Sequence, residues 1–335
     1  MVKKSTYVML AVLIFLFLLL IADPSQGMET VYLCTEEARS GGITKTATYD
    51  ANGNILFIEI DERGTRYITH SFTYDDQNNL LSVTQYSWKG EVVSQSTYAY
   101  QQGQTVVTCY VPPEHTSFTR PHSNYTIIYT YDAFGNQLSH RYINHNNVAL
   151  YENYRTYDLS GNLLTEVTYQ EGSLLGSCRH TYDSQGNHIL YAGYGDDGES
   201  FHYEYFYDDN GYCIGNKYYT KNVLEKETKN TLDERGNIIE AFTENIKKGE
   251  TYTTKYTYDS QNRLLSEEFF NNGYVNRKTY EYDFAGNLIY RYRFETSYKP
   301  LSSSTEYKYI AIRVPAEQAK KIREMQTELF SNQPE

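Results

Sequence analysis

The phrase Tyr49-Asp50-Ala51-Asn52-Gly53-Asn54 returns as Tyr131-Asp132-Ala133-Phe134-Gly135-Asn136, and three further full copies start at Tyr157, Tyr182 and Tyr282. Degenerate copies begin at Tyr74, Tyr100, Tyr207, Leu232 and Tyr258, so ten copies follow one another at steps of 24–26 residues, with one step of 31. A fixed period of this length marks a repeat architecture. Gly53, Gly135, Gly161, Gly186 and Gly286 stand four residues after the Tyr, with Asn78 and Asn262 in two other copies. Gly and Asn enter positive φ cheaply, so this column is the left-handed position of a tight hairpin turn. In the third copy Gly103 comes one place early. The Asp beside each Tyr (Asp50, Asp132, Asp158, Asp183, Asp283) is placed to accept hydrogen bonds from turn amides.

Seven residues after the Tyr stands an aliphatic column: Leu56, Leu81, Val107, Leu138, Leu164, Ile189, Ile214, Ile239, Leu265 and Ile289. By alternation this column is expected on the buried face. A second turn signal follows at Gly64, Gly90, Asn146, Gly172, Gly198, Asn222, Gly249 and Gly273. Between the turns lie runs rich in Tyr, Thr, Val and Ile, such as Tyr252-Thr-Thr-Lys-Tyr-Thr-Tyr258, which read as strands. Each unit is therefore a pair of antiparallel strands, and ten units give about twenty strands. Open sheets rarely exceed about ten strands without curling. The expected fold is all-β: tandem antiparallel β-hairpin repeats in a curled or spirally wound sheet. The expected organisation is an export segment over 1–27, an N-terminal cap over 28–48, the repeat domain over 49–314 and a helix with a tail over 315–335. Pro315 opens that helix, and Ile322, Met325 and Leu329 make its apolar stripe, suited to capping the open end.

Forty-two acidic side chains face thirty basic ones, a net charge of −12. That balance excludes a nucleic-acid-binding surface, which needs cations to displace phosphate counterions. With 16% aromatic residues the chain is too ring-rich for a disordered polymer. Lys3 and Lys4 precede an apolar run over 8–22, followed by the small residues Ser25 and Gly27. This reads as a signal peptide cleaved before Met28, or as an uncleaved membrane anchor; either reading exports the body of the protein. Cys34, Cys109, Cys178 and Cys213 permit two disulfides in three connectivities. The favoured reading is four buried thiols, because their spacings match no close-pair metal or redox motif.

The Tyr-Asp-x-x-Gly-Asn phrase, its second turn and its step near 25 resemble the YD repeats of the RHS family, over about residues 49–310. The resemblance implies a spirally wound strip in exported or cell-surface proteins concerned with carbohydrate contact, adhesion or toxin delivery. The chain departs from the family in carrying Asn54, Asn136, Asn162, Asn187, Asn237 and Asn287 where Arg is usual. It also lacks the family's shell-closing core region with its Asp-Pro-x-Gly motif, which argues against a toxin shell.

No nucleophile elbow, phosphate loop or metalloprotease helix motif is present, and a non-enzymatic protein without cofactor or metal is expected. The acidic pairs Asp196-Asp197 and Asp208-Asp209 read as solvated turns. The repeat Asp column could ladder calcium, but turn capping explains it without an ion. The longer third unit carries His115, Arg120 and His122 in a proline-rich insertion, a place where repeat proteins often put function, although a surface excursion without a role is the favoured reading. His115 and His122 lack a third ligand nearby, so a metal pair is not favoured. Tyr203, Tyr205, Tyr252 and Tyr256 could form outward tracks on which sugar rings stack, although cross-strand aromatic packing that only stabilises the sheet is the favoured reading. The expected function is an exported scaffold binding a glycan or cell-wall polymer. The alternative is a structural or adhesion component of an RHS-type delivery system with protein partners.

Overall fold

A computed structural model describes residues 28–112, 124–195, 198–296 and 301–329. The export segment, the insertion carrying His115, Arg120 and His122, and Asp196-Asp197 lie outside these. Among the described residues twenty-two antiparallel strands, β1 to β22 in chain order, each pair with the next. The ring is closed by β1 (Met28–Arg39) and β22 (Leu301–Pro315), paired from Met28 opposite Pro315 to Arg39 opposite Thr305 with one bulge between Cys34 and Glu36. The expected spiral is thus a closed barrel. The sequence reading missed this because the segment before the first repeat carries no repeat signature, yet forms a twelve-residue strand. Closure removes the unpaired edges that a long open sheet would expose.

The Tyr-Asp turns form one rim of the barrel, and the second turns form the other. Gly53 adopts φ +81° and Asn78 φ +60°, as the turn chemistry requires. On the opposite rim the left-handed residue is Asn147 rather than Asn146.

The aliphatic column does not face the interior. In nine of the ten copies the pairing register slips between the repeat residue and the one before it: Tyr157 sits opposite Leu163, whereas Thr156 sits opposite Thr165. The residue seven after the Tyr is therefore the extra residue of a β-bulge, left unpaired and turned outward. Leu81 and Ile214 are each 41% exposed in consequence. The third copy has no bulge, because its hairpin closes at Gln101 opposite Gln104. One residue fewer returns its column to the inner face, and Val107 is only 5% exposed. The inner face instead carries the repeat Tyr and the residue six after it, including Ile55 and Leu288.

The C-terminal helix α1 (Ala316–Leu329) lies against this inner face. Ala319 and Ile322 pack on Val31, Leu33 and Val314, and Met325 and Leu329 join the larger core around Ile55, Ile58, Phe72 and Leu288. Two buried glutamines fix the helix to the seam. The Cys34 N–H donates to Gln326 Oε1 at 2.6 Å, and Gln326 Nε2 donates to the Tyr32 carbonyl at 3.1 Å. These bonds cover the β1 edge where β2 (Ile43–Tyr49) no longer pairs with it. Gln318 donates to Asn54 Oδ1 at 2.8 Å, and Lys321 to Asn79 Oδ1 at 3.0 Å. The helix thus ties the seam to the first two Tyr-Asp turns.

All four cysteines are free; Cys34 and Cys109 are buried, Cys178 and Cys213 half-buried. Burial, reinforced by the nearby Glu37, pushes the Cys34 thiol up to about 12.

A Cβ on Gly53 would lie 2.5 Å from Ile312 Cδ1 and 2.7 Å from Ile322 Cδ1, whereas one on Gly135 would meet open space. Both positions have positive φ, which costs an L-residue about 1–2 kcal/mol. Gly135→Ala is therefore expected to lose about that much in urea unfolding, and Gly53→Ala measurably more. Equal losses would show that α1 does not pack on the first turn.

Candidate functional site

Pairing between neighbouring copies stops two residues short of the Tyr-Asp rim: Phe57 opposite Ser71, Thr165 opposite Arg179 and Ser266 opposite Thr279 are the last pairs. The carbonyl six residues after each Tyr is left beyond the end of that pairing and needs a donor. The Tyr hydroxyl of the next copy supplies one. Tyr157 donates to Gln137 O at 2.9 Å, Tyr182 to Leu163 O at 3.0 Å, Tyr207 to His188 O at 2.9 Å and Tyr282 to Leu264 O at 2.9 Å. Tyr309 continues the series to Leu288 O, and Tyr49 starts it on Cys34 O. Where the copy begins with Leu232 the phenol is missing, and Asn230 Nδ2 donates to Cys213 O at 3.1 Å in its place. Sequence reading missed that substitution, because Asn230 stands two residues outside the aligned phrase.

Outside the third copy, where Gln101 takes its place, an Asp closes each turn. Asp158 Oδ1 accepts the N–H groups of Ser160 and Asn162 at 2.8 Å, and Oδ2 accepts Asn162 Nδ2 at 2.9 Å. Arg263 performs the same task with Nε on Asp259 Oδ2 at 2.6 Å. Asn and Arg are therefore equivalent at this position as donors to the turn carboxylate. Turn donors engage both oxygens of this carboxylate, as turn capping predicts.

The ladder breaks at the third copy. There the strand pairing runs to the rim, with Gln104 opposite Thr130, so no carbonyl is left open for Tyr131. The Tyr131 ring lines a cavity of about 550 Å³ instead, between α1 and the wall. Tyr98, Tyr100 and Tyr129 line it from the wall, Lys321 and Met325 from the helix. It is amphipathic: aromatic faces, an ammonium and the amides of Asn78 and Asn79 meet in one concavity.

Beyond the cavity the inner wall carries clusters of rings. His140 stacks on Tyr151 at 5.4 Å, and Tyr203 lies 4.6 Å from Tyr218 and 6.2 Å from Tyr205. Tyr252 packs on Phe269 at 5.4 Å, and Tyr256 occupies the same inner face, where burial raises its phenol. The four candidate tyrosines thus sit inside the barrel, not outside as expected, because β-alternation puts them on the face of the repeat Tyr. The outer face carries cross-strand ion pairs, among them Arg141–Glu152 at 2.7 Å and Lys255–Glu240 at 3.3 Å. Among the described residues no helix is long and apolar enough to cross a membrane.

A family model described as "Uncharacterised protein" matches residues 135–294. No curated protein matches the chain. Among solved structures, the TcdB2-TccC3-Cdc42 complex is 19% identical with a TM-score of 0.37, over 78% of this chain and 15% of that one. The Photorhabdus luminescens Tc holotoxin pore is 18% identical with a TM-score of 0.37, over 78% and 14%. A porin-like protein from Bacteroides uniformis is 11% identical with a TM-score of 0.30, over 86% and 98%. The chain thus spans well under a quarter of the toxin chains it is similar to.

Asn230→Ala and Tyr182→Phe should each cost about 1 kcal/mol, the worth of one hydrogen bond. Leu232→Tyr in the Asn230→Ala background should restore the loss in chemical denaturation. If it does not, the hydroxyl-to-carbonyl ladder is incidental to stability.

Hydrogen bonds from Asn side chains and turn amides hold Asp75, Asp132, Asp158, Asp183 and Asp233 below the usual carboxylate range, and the Arg263 backbone and guanidinium do so for Asp259. The folded pKa values being depressed, this contribution is complete above the unfolded value of about 3.9 and is lost as pH falls through the folded values. Melting temperature should therefore hold from neutrality to about pH 4 and decline below it. A melting temperature that rises below that point would refute the turn assignment.

Proposed function

We propose that this chain is an exported, non-enzymatic β-barrel scaffold that binds a glycan on its inner wall, in the tyrosine-lined cavity beside α1. The cavity's position at the break in the tyrosine ladder carries the reading. The Tyr131 ring joins other aromatic faces there, and with Lys321 and the amides of Asn78 and Asn79 they line a concavity of ligand size. Tyrosine suits a sugar, since one side chain offers a stacking face and a hydroxyl. An inward site takes soluble oligosaccharides and excludes the faces of insoluble polymers, which narrows the expectation of a cell-wall ligand.

A second reading is a scaffold for protein partners, as in the RHS-type delivery systems that the repeat resembles. The outward aliphatic column supports it, since Leu56, Leu81, Leu138, Ile214, Ile239 and Leu265 are all 36–41% exposed.

Titration calorimetry with wall-derived and other soluble oligosaccharides tests the first reading. Saturable binding is expected, weakened by Tyr129→Ala and by Lys321→Ala and unchanged by Tyr219→Ala, whose ring stacks on His202 away from the cavity. Absence of binding across the panel would overturn it and favour the protein-partner reading.

A further inference from the structure

Among the described residues the inner wall holds a pair of histidines whose imidazoles neither the ladder nor the cavity uses. His180 lies on β12 (Ser173–Tyr182) and His188 opens β13 (His188–Gly195), across the turn of the fourth full Tyr-Asp phrase. Tyr182 is opposite His188 and His180 is opposite Tyr191, with the bulged Ile189 between. The bulge sets the two imidazoles on a diagonal of the same face. Their rings lie 5.0 Å apart, and His180 Nδ1 is 3.1 Å from His188 Nε2.

From this geometry we infer that His180 and His188 form a two-imidazole site for a divalent transition ion of the nickel, copper and zinc class. Imidazole is the ligand these ions share. Metal–nitrogen bonds are about 2.0–2.1 Å, so nitrogens 3.1 Å apart subtend roughly 95–100° at a shared ion. That angle fits neighbouring positions of a tetragonal or octahedral sphere, and a small ring rotation opens it towards the tetrahedral one. Both residues are half-exposed on the lumen face, so an ion can reach them and water can complete its shell. Among the described residues no set of three or more His, Cys, Asp or Glu side chains converges on an ion site, so the pair supplies two ligands.

The surroundings prepare the pair for this role. Burial lowers both imidazoles from their ordinary range, with the proximity of His188 adding to the effect on His180. His188 also hydrogen-bonds the Leu190 backbone, in the sense that stabilises a ring N–H. With its Nε2 turned towards His180, a backbone contact of this kind fixes the tautomer that ligating histidines commonly need. Tyr191 stacks on His180 at 4.9 Å, and Tyr182 and Tyr205 flank His188 at 5.1 and 5.2 Å. These rings restrict rotation away from the shared position.

Calorimetric titration of the metal-free protein with Ni2+ and with Zn2+ tests the site, independently of whether the cavity binds a glycan. One equivalent is expected, reversed by EDTA, with affinity falling by at least about tenfold in His180→Gln and in His188→Gln. His202→Gln, on the outer face, and the double substitution His115→Gln/His122→Gln should leave that equivalent in place. Ni2+ should raise the melting temperature of the wild type and of His202→Gln but not of either pair variant, which separates loss of a ligand from loss of fold. Binding that survives both pair variants, binding lost in the His115/His122 variant alone, or no binding of either ion would each overturn the assignment.

Discussion

A bulge at the start of the second strand of nine hairpins is the constraint on which the barrel depends. It gives that strand one residue more than its partner, bends it and increases its local twist. Repeated around the circle, the same local bend lets a strip of hairpins return on itself. It also separates the strands at one rim, where neighbouring copies stop pairing two residues early. A barrel built from such a unit would carry a ring of unpaired carbonyls unless a donor were supplied. The repeat supplies one in the hydroxyl of its own first residue, so Tyr is retained where Phe would pack as well.

This division of labour explains the composition. A chain with 37 tyrosines and few large aliphatic side chains is poorly suited to a solid core. It suits a hollow ring in which each aromatic side chain serves one neighbour and its hydroxyl serves another. The solid packing is concentrated at the seam, where β1, β22 and α1 meet around Leu33, Ile55, Ile58 and Ile322. There β1, β22 and α1 are held by apolar burial and by the amides of Gln318 and Gln326.

The period, both turns, the Asp caps and the C-terminal helix were legible in the residues, since each is a local matter of φ, hydrogen-bond donors or helical spacing. The inward column was misassigned for a physical reason: alternation counts residues, and a bulge adds one residue without changing the apparent pattern. Val107 shows the rule by exception, being buried in the copy that has no bulge. Closure was not legible, because β1 meets β22 across the whole length of the chain and its pairing leaves no local trace. The candidate tyrosines were found as residues and placed on the wrong side, by the same miscount. The cavity was half legible: Gly103 marked the third copy as irregular, but the consequence for Tyr131 needs the register of β7 (Gln104–Tyr110) against β8 (Asn124–Tyr131).

Departures from the repeat fall into two kinds, and only one of them leaves chemistry behind. Where Asn230 stands in for a phenol, or Arg263 for an amide, the replaced hydrogen bond is remade and the wall continues unchanged. Where the third copy shortens its turn, no partner remains for the next phenol, and a cavity opens against the helix. His180 and His188 belong to neither kind, since they occupy ordinary inner-face positions in a copy whose ladder is intact. A repeat that satisfies its own backbone frees those inner-face side chains from structural duty. In this barrel the wall between the ladder and the far rim is therefore the surface on which binding chemistry can vary without cost to closure.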